Sequence, residues 1–128
     1  MLSGLIQKLH DEAPRKDDRN ILTFQSEGYL ILVGRNAYSN ERLIADHPHR
    51  DCLWMHAMAA RGSHVVLCIH DLQEPSESVL QYAMKLALDH SHSEARTVAI
   101  ALLRDVFKPE GGGTGVWKAS RYESREVA

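Results

Sequence analysis

The chain has little of several things. Among its 128 residues are two cysteines, four prolines and only 6% aromatic residues. Cys52 and Cys68 cannot build the disulfide framework of a small secreted scaffold, and the default for such a pair is free, buried thiols in a reducing compartment. Charge of one sign is also missing: 15 Lys and Arg face 17 Asp and Glu, a formal net charge of −2. That excludes a strong, non-specific nucleic-acid binder, whose domain pI usually exceeds about 9. Any affinity for a polyanion must come from a local patch. Long apolar runs are absent as well. Stretches such as Tyr29–Val33 and Val65–Ile69 fall far short of the ~20 residues that cross a bilayer, and the first residues lack a basic stretch followed by an apolar block. The expectation is a cytoplasmic protein with no membrane partner.

What is present is ordinary for a globular domain: 44% apolar and 25% charged residues. The eight histidines are the one excess, and their full protonation would take the charge from −2 by +8 to +6. A polyanion should therefore bind more tightly on mild acidification.

Hydropathy patterning predicts the elements. Leu2, Leu5, Ile6 and Leu9 suggest a short N-terminal helix, and residues 11–20 read as a polar lead-in. Strands are expected at Ile21–Gln25 and Tyr29–Val33, joined by Ser26-Glu27-Gly28. A helix follows over Ala37–Asp46. Cys52–Ala57 and Ser63–Ile69 form the strongest strand pair. A helix starting at Pro75 continues to about His90, Thr97–Leu102 is a strand, and Gly115–Ala119 with Tyr122–Val127 reads as a final hairpin. This predicts an α+β fold, an antiparallel or mixed sheet of about seven strands with two main helices and a short N-terminal helix. The division is residues 1–20 as helix and lead-in, and 21–128 as the domain.

The central pair allows a register argument. With Ala57 opposite Ser63, Cys52 faces Cys68, Trp54 faces Val66 and His56 faces His64 on one side of the sheet. Leu53, Met55, Val65, Leu67 and Ile69 then point to the other side, taken as the core face. The cysteine pair and the histidine pair lie four residues apart, about 13 Å at ~3.3 Å per residue, too far to share one ion. No metal or cofactor is expected. His47, His49, His90 and His92 are read as surface residues. Ser63 and His64 are strand neighbours on opposite faces, which argues against a hydrolase. Gly111-Gly112-Gly113 is not followed by the Lys-Ser/Thr of a phosphate-binding loop.

Gly34-Arg35-Asn36 sits where a strand hands over to a helix. Glycine permits the turn, Asn36 can cap the helix, and its free N–H groups together with Arg35 suit an anion. The alternative is a well-capped helix beside a solvated arginine. Trp54 and His56 would offer a flat platform for bases if their face is open; otherwise the Val79–His90 helix covers them and Trp54 is core.

The run Glu27-Gly28-Tyr29-Leu30-Ile31-Leu32-Val33-Gly34-Arg35-Asn36-Ala37 with Asn40-Glu41-Arg42-Leu43, then Asp51-Cys52-Leu53-Trp54-Met55-His56-Ala57 and Gly62-Ser63-His64-Val65-Val66-Leu67, resembles the NFACT RNA-binding domain, NFACT-R. The similarity runs on through Glu74-Pro75-Ser76, Tyr82–Ala87, Ser91 and Lys108–Gly111. The resemblance implies a non-enzymatic RNA-binding module of ribosome-associated quality control, here a stand-alone copy, contacting tRNA or ribosomal RNA of the large ribosomal subunit. It points to Gly34, Arg35, Asn36, Asn40, Trp54, His56, Ser63, His64 and Lys108 as nucleic-acid-binding residues, with Arg35 and Lys108 on phosphates. Few basic residues imply a shallow salt dependence. Two other readings stand beside it: a protein-docking module using the N-terminal helix, and a small histidine-rich metal-binding protein.

Overall fold

The computed structural model describes residues 20–58, 61–69, 74–91, 94 and 96–128. The expected N-terminal helix lies outside them. Among the described residues there are two α-helices and eight strands: β1 (Ile21–Ser26), β2 (Tyr29–Gly34), α1 (Ala37–Ala45), β3 (Leu53–Ala57), β4 (Val65–Leu67), α2 (Glu77–Asp89), β5 (Thr97–Leu102), β6 (Val106–Phe107), β7 (Lys118–Ala119) and β8 (Glu123–Glu126). A 3-10 turn, Leu103–Asp105, joins β5 to β6. The main sheet has the order β1-β2-β4-β3-β5-β8, and β6-β7 form a two-stranded ribbon. All pairings are antiparallel. The fold is the α+β class that the pattern predicts.

The β1–β2 turn is tighter than expected. Ser26 pairs with Tyr29, and Glu27 and Gly28 both take positive φ, 49° and 85°. Two successive positive φ values give the hairpin turn whose twist matches its strands. Pro75 precedes α2 rather than opening it. Ser76 is the N-cap, its hydroxyl accepting from the Val79 amide, and it donates to Glu27 Oε1 at 3.0 Å. The Ser78 and Ser76 hydroxyls hold the Glu27 carboxyl below its usual range.

The β3–β4 register is the one the sequence predicts: Leu53 opposite Leu67, Trp54 opposite Val66, Met55 opposite Val65. Its two faces, however, are both core. Met55, Val65 and Leu67 pack with Ile31, Val33 and the Val79–Ala87 stripe of α2. Trp54, Cys52, Val66 and Cys68 pack with Leu43 and Ile44 of α1, with Trp117 and Ala119 against them. The Trp54 face is covered, but by α1 and the C-terminal segment rather than by α2. The final hairpin does not form. Lys118–Ala119 pairs with Val106–Phe107, and Glu123–Glu126 pairs with β5, because each segment finds a partner distant in sequence.

Candidate nucleic-acid interface

The corner between β2 and α1 is built by reciprocal hydrogen bonds. Asn36 Oδ1 accepts from the Ser39 amide at 2.8 Å, and Ser39 Oγ accepts from the Arg35 and Asn36 amides at 2.9 and 3.0 Å. This capping box satisfies two amides that the helix end would leave free, those of Asn36 and Ser39. Gly34 donates its amide to His64 O at 3.0 Å, and the His64 amide donates to Asn40 Oδ1 at 3.1 Å. A Cβ on Gly34 would land on the Asn40 side chain, so glycine is required here by close approach rather than by a positive φ. Asn40 is buried at 6% exposure. Gly34 and Asn40 thus bolt α1 to β4.

Beneath the corner lies an aromatic stack. The Trp54 and His56 rings are parallel within 6° with centroids 6.0 Å apart, and His56 lies 4.6 Å from His64. The Trp54 indole N–H donates to His64 Nδ1 at 2.8 Å. Since an indole only donates, Nδ1 is the acceptor, and the ring proton sits on Nε2, which donates to Gly115 O at 3.1 Å. Trp54 is 4% exposed and His64 3%. The open base-stacking platform considered from the pattern is therefore a buried support: Trp54 has no free face for a base. Burial, and the nearby His56, push His64 down to about 3. Burial also lowers His56, which stays half-buried and donates from Nδ1 to Ala57 O at 2.7 Å.

The opposite wall is the segment after β6. Lys108 Nζ donates to Glu41 Oε1 at 2.6 Å and Gly113 O at 2.7 Å and lies 5.0 Å from the Trp117 ring centroid. The same carboxylate oxygen accepts the Gly115 amide at 2.8 Å. Burial works to raise the Glu41 carboxyl; Lys108 and the Gly115 amide overrule it and leave the group below its usual range. Gly115 has φ +81°, and a Cβ there would sit 2.7 Å from Ala37 O. Lys108, expected to meet phosphate, latches this segment to α1 through its ammonium.

Between these walls opens a cleft of about 550 Å³. Of the residues named from sequence, it brings together Arg35, Asn36, Asn40, His56, Ser63 and His64; Gly34 and Trp54 are buried behind it, and Lys108 is exposed beside it without lining it. Arg61, His90 and Trp117 also line it and were not anticipated. Arg61 immediately precedes the Gly62-Ser63-His64 motif, which was the available signal. Trp117 had none, since its placement depends on the latch. The Ser63 amide donates to His90 O at 3.2 Å, and Gly62 bridges Ser91, which carries His90 to the rim. Among the described residues the lining holds two arginines and three histidines, and the nearby Glu41 carboxylate is paired with Lys108. Arg35, Asn36 and Arg61 are exposed.

His47 is a correction. Read as a surface residue, it is 3% exposed, and burial with the adjacent His49 pushes it down to about 4.

A cleft with two exposed arginines, walled by these motifs, suits an anionic ligand, and residues 20–111 match the model of the NFACT protein RNA binding domain. The chain belongs to that family. Over 117 residues it is 32% identical to the Rqc2 homolog RqcH of Streptococcus suis, covering 88% of this chain and 21% of that protein. Over 97 residues it is 35% identical to the Rqc2 homolog RqcH of Bacillus subtilis, covering 73% and 16%. Among solved structures, the C-terminal part of the fibronectin/fibrinogen-binding protein from Streptococcus suis superposes with a TM-score of 0.70 at 31% identity, over 84% of this chain and 43% of that one. The chain spans about a fifth of the length of the curated relatives it matches. Among the described residues no helix is long and apolar enough to cross a membrane.

Proposed function

We propose that the chain is a non-enzymatic, cytoplasmic RNA-binding module that contacts tRNA or ribosomal RNA of the large subunit, in the setting of ribosome-associated quality control. The observation that carries this reading is the cleft itself: two exposed arginines and walls formed by the family's own motifs. Arg35 and Arg61 take phosphate oxygens as planar, bidentate donors. Asn36 and His56 are the polar groups left to meet base or sugar. Gly34, Asn40, Trp54, Ser63 and His64 act by holding these in place, and Lys108 acts through the segment it latches. No cofactor is required. The names of the relatives support the ribosomal setting.

The test is tRNA binding across a salt series with the parent and an Arg35→Ala/Arg61→Ala variant. Losing two phosphate contacts should weaken binding and flatten the log K against log salt slope by about 2. Equal affinity and slope in the two proteins would remove the cleft from the interface. Co-sedimentation with large subunits from lysate, lost in the same variant, tests the ribosomal partner.

A further inference from the structure

One cluster has no part in the RNA reading and does not depend on it. Extending the β3–β4 register by one residue sets Cys52 opposite Cys68. The Cys68 amide donates to Leu30 O at 2.9 Å, and Cys52 O accepts from Leu103 at 2.8 Å. Both residues thus turn their backbone groups away from each other, as in a non-hydrogen-bonded pair, where side chains come closest. The third member arrives from the loop after α1. His47 Nε2 is 3.7 Å from Cys68 Sγ. The two sulfurs and one imidazole nitrogen all lie within 4.8 Å of one another, and the residues are 1%, 0% and 3% exposed.

These separations suit a metal ion. Bonds of about 2.3 Å to sulfur and 2.0–2.1 Å to nitrogen, at a tetrahedral angle, imply an S···N edge of roughly 3.6 Å. The Cys68–His47 edge, at 3.7 Å, already matches it. The loop is already fixed: Arg50 Nη1 donates to Ile44 O at 2.9 Å and Nη2 to Leu103 O at 3.3 Å. We propose that His47, Cys52 and Cys68 form a buried binding site for a thiophilic d10 cation, Zn²⁺ or Cu⁺. Two thiolates and one imidazole are a soft donor set that selects these ions over Mg²⁺ or Ca²⁺. Zn²⁺ with two thiolates is electrically neutral, which suits the apolar surroundings, and takes a fourth ligand beyond these three; Cu⁺ is satisfied by three donors. Cys52 and Cys68 lie four residues along the strands from His56 and His64, too far to share an ion with them; the nitrogen comes from His47 instead.

Loading releases the two thiol protons to solvent. His47 Nδ1 accepts the His49 amide at 3.2 Å, so its ring proton sits on Nε2, facing Cys68. Coordination through Nε2 moves that proton to Nδ1, which then no longer accepts the His49 amide, so the long contact to Cys68 and the His49 bond are both given up for a metal–nitrogen bond.

The experiment uses the full chain, purified without chelator under reducing conditions, then titrated anaerobically with Zn²⁺ or Cu⁺ against a chromophoric competitor for each ion. About one equivalent per chain and a raised melting temperature are expected, with affinity falling by roughly 100-fold or more in Cys52→Ser, Cys68→Ser and His47→Gln. The ion that binds identifies the occupant. Should the variants not fold, the parent still decides: a bound ion must protect both cysteines from alkylation together. Failure of both ions to bind, alkylation unaffected by either, or binding retained in a folded Cys52→Ser/Cys68→Ser chain overturns the site.

Discussion

Removing the imidazole of His64 leaves the Trp54 indole N–H buried without its acceptor and the Gly115 carbonyl without its donor. His64→Ala should therefore cost about 2–4 kcal/mol of stability, read by urea unfolding, whereas exposed Arg35→Ala should change it by less than about 0.5 kcal/mol. The same ring sets a pH dependence. Its folded pKa of about 3 lies below the 6.5 of a free histidine, so the unfolded chain binds the extra proton in acid. Stability is full above pH 6.5 and falls as pH drops from there toward 3, by about 1.4 kcal/mol per pH unit for this one group. Melting temperatures between pH 7 and 4.5 check this; in His64→Ala that slope should shrink. The facing of His56 and His64 was legible because strand register follows from alternation. The indole-to-imidazole bond was not, since the pattern says which residues share a face and not how deeply that face is covered. Nor was the burial of His47, which sits in a loop where periodicity carries no information.

The segment from Lys108 to Trp117 has no regular structure until β7 and is held to α1 by the Glu41 carboxylate and to the aromatic stack by His64. Both partners of its ion pair are partly exposed, so Lys108→Ala should cost less than about 1 kcal/mol globally. The local effect should be larger: faster protease cleavage within residues 111–115 and weaker tRNA binding, with the melting temperature nearly unchanged. A cleavage pattern identical to the parent would show that the latch is dispensable. The helices were readable from their caps and stripes, α1 from Asn36 and the spacing of Leu43 and Ile44. The C-terminal strands were misread as a hairpin because short polar strands carry no mark of their partner. Lys118–Ala119 looks like any turn-flanked strand until Val106–Phe107 is placed beside it.

At the level of the whole molecule, a net charge of −2 coexists with a cleft that presents two exposed arginines. Binding should be modest and its salt dependence shallow, a slope set by the few contacts of the cleft and not by bulk charge. The expectation that acid tightens binding weakens, because His47, His56 and His64 are held neutral by burial. Affinity measured at pH 7.5 and 6.0 in fixed salt should differ less than full protonation of eight histidines implies. The fold class and central register were legible, because they rest on alternation and spacing; the cleft was legible only on the walls that carry motifs. Its lining runs from Arg35 to Trp117, so no short fragment contains it and it exists only once sheet, helix and tail have closed on one another. An RNA that fits is thereby a staple across the finished chain. At 100-fold excess over Kd it should add about 2.7 kcal/mol to unfolding, which makes a simple melting curve a reporter of occupancy.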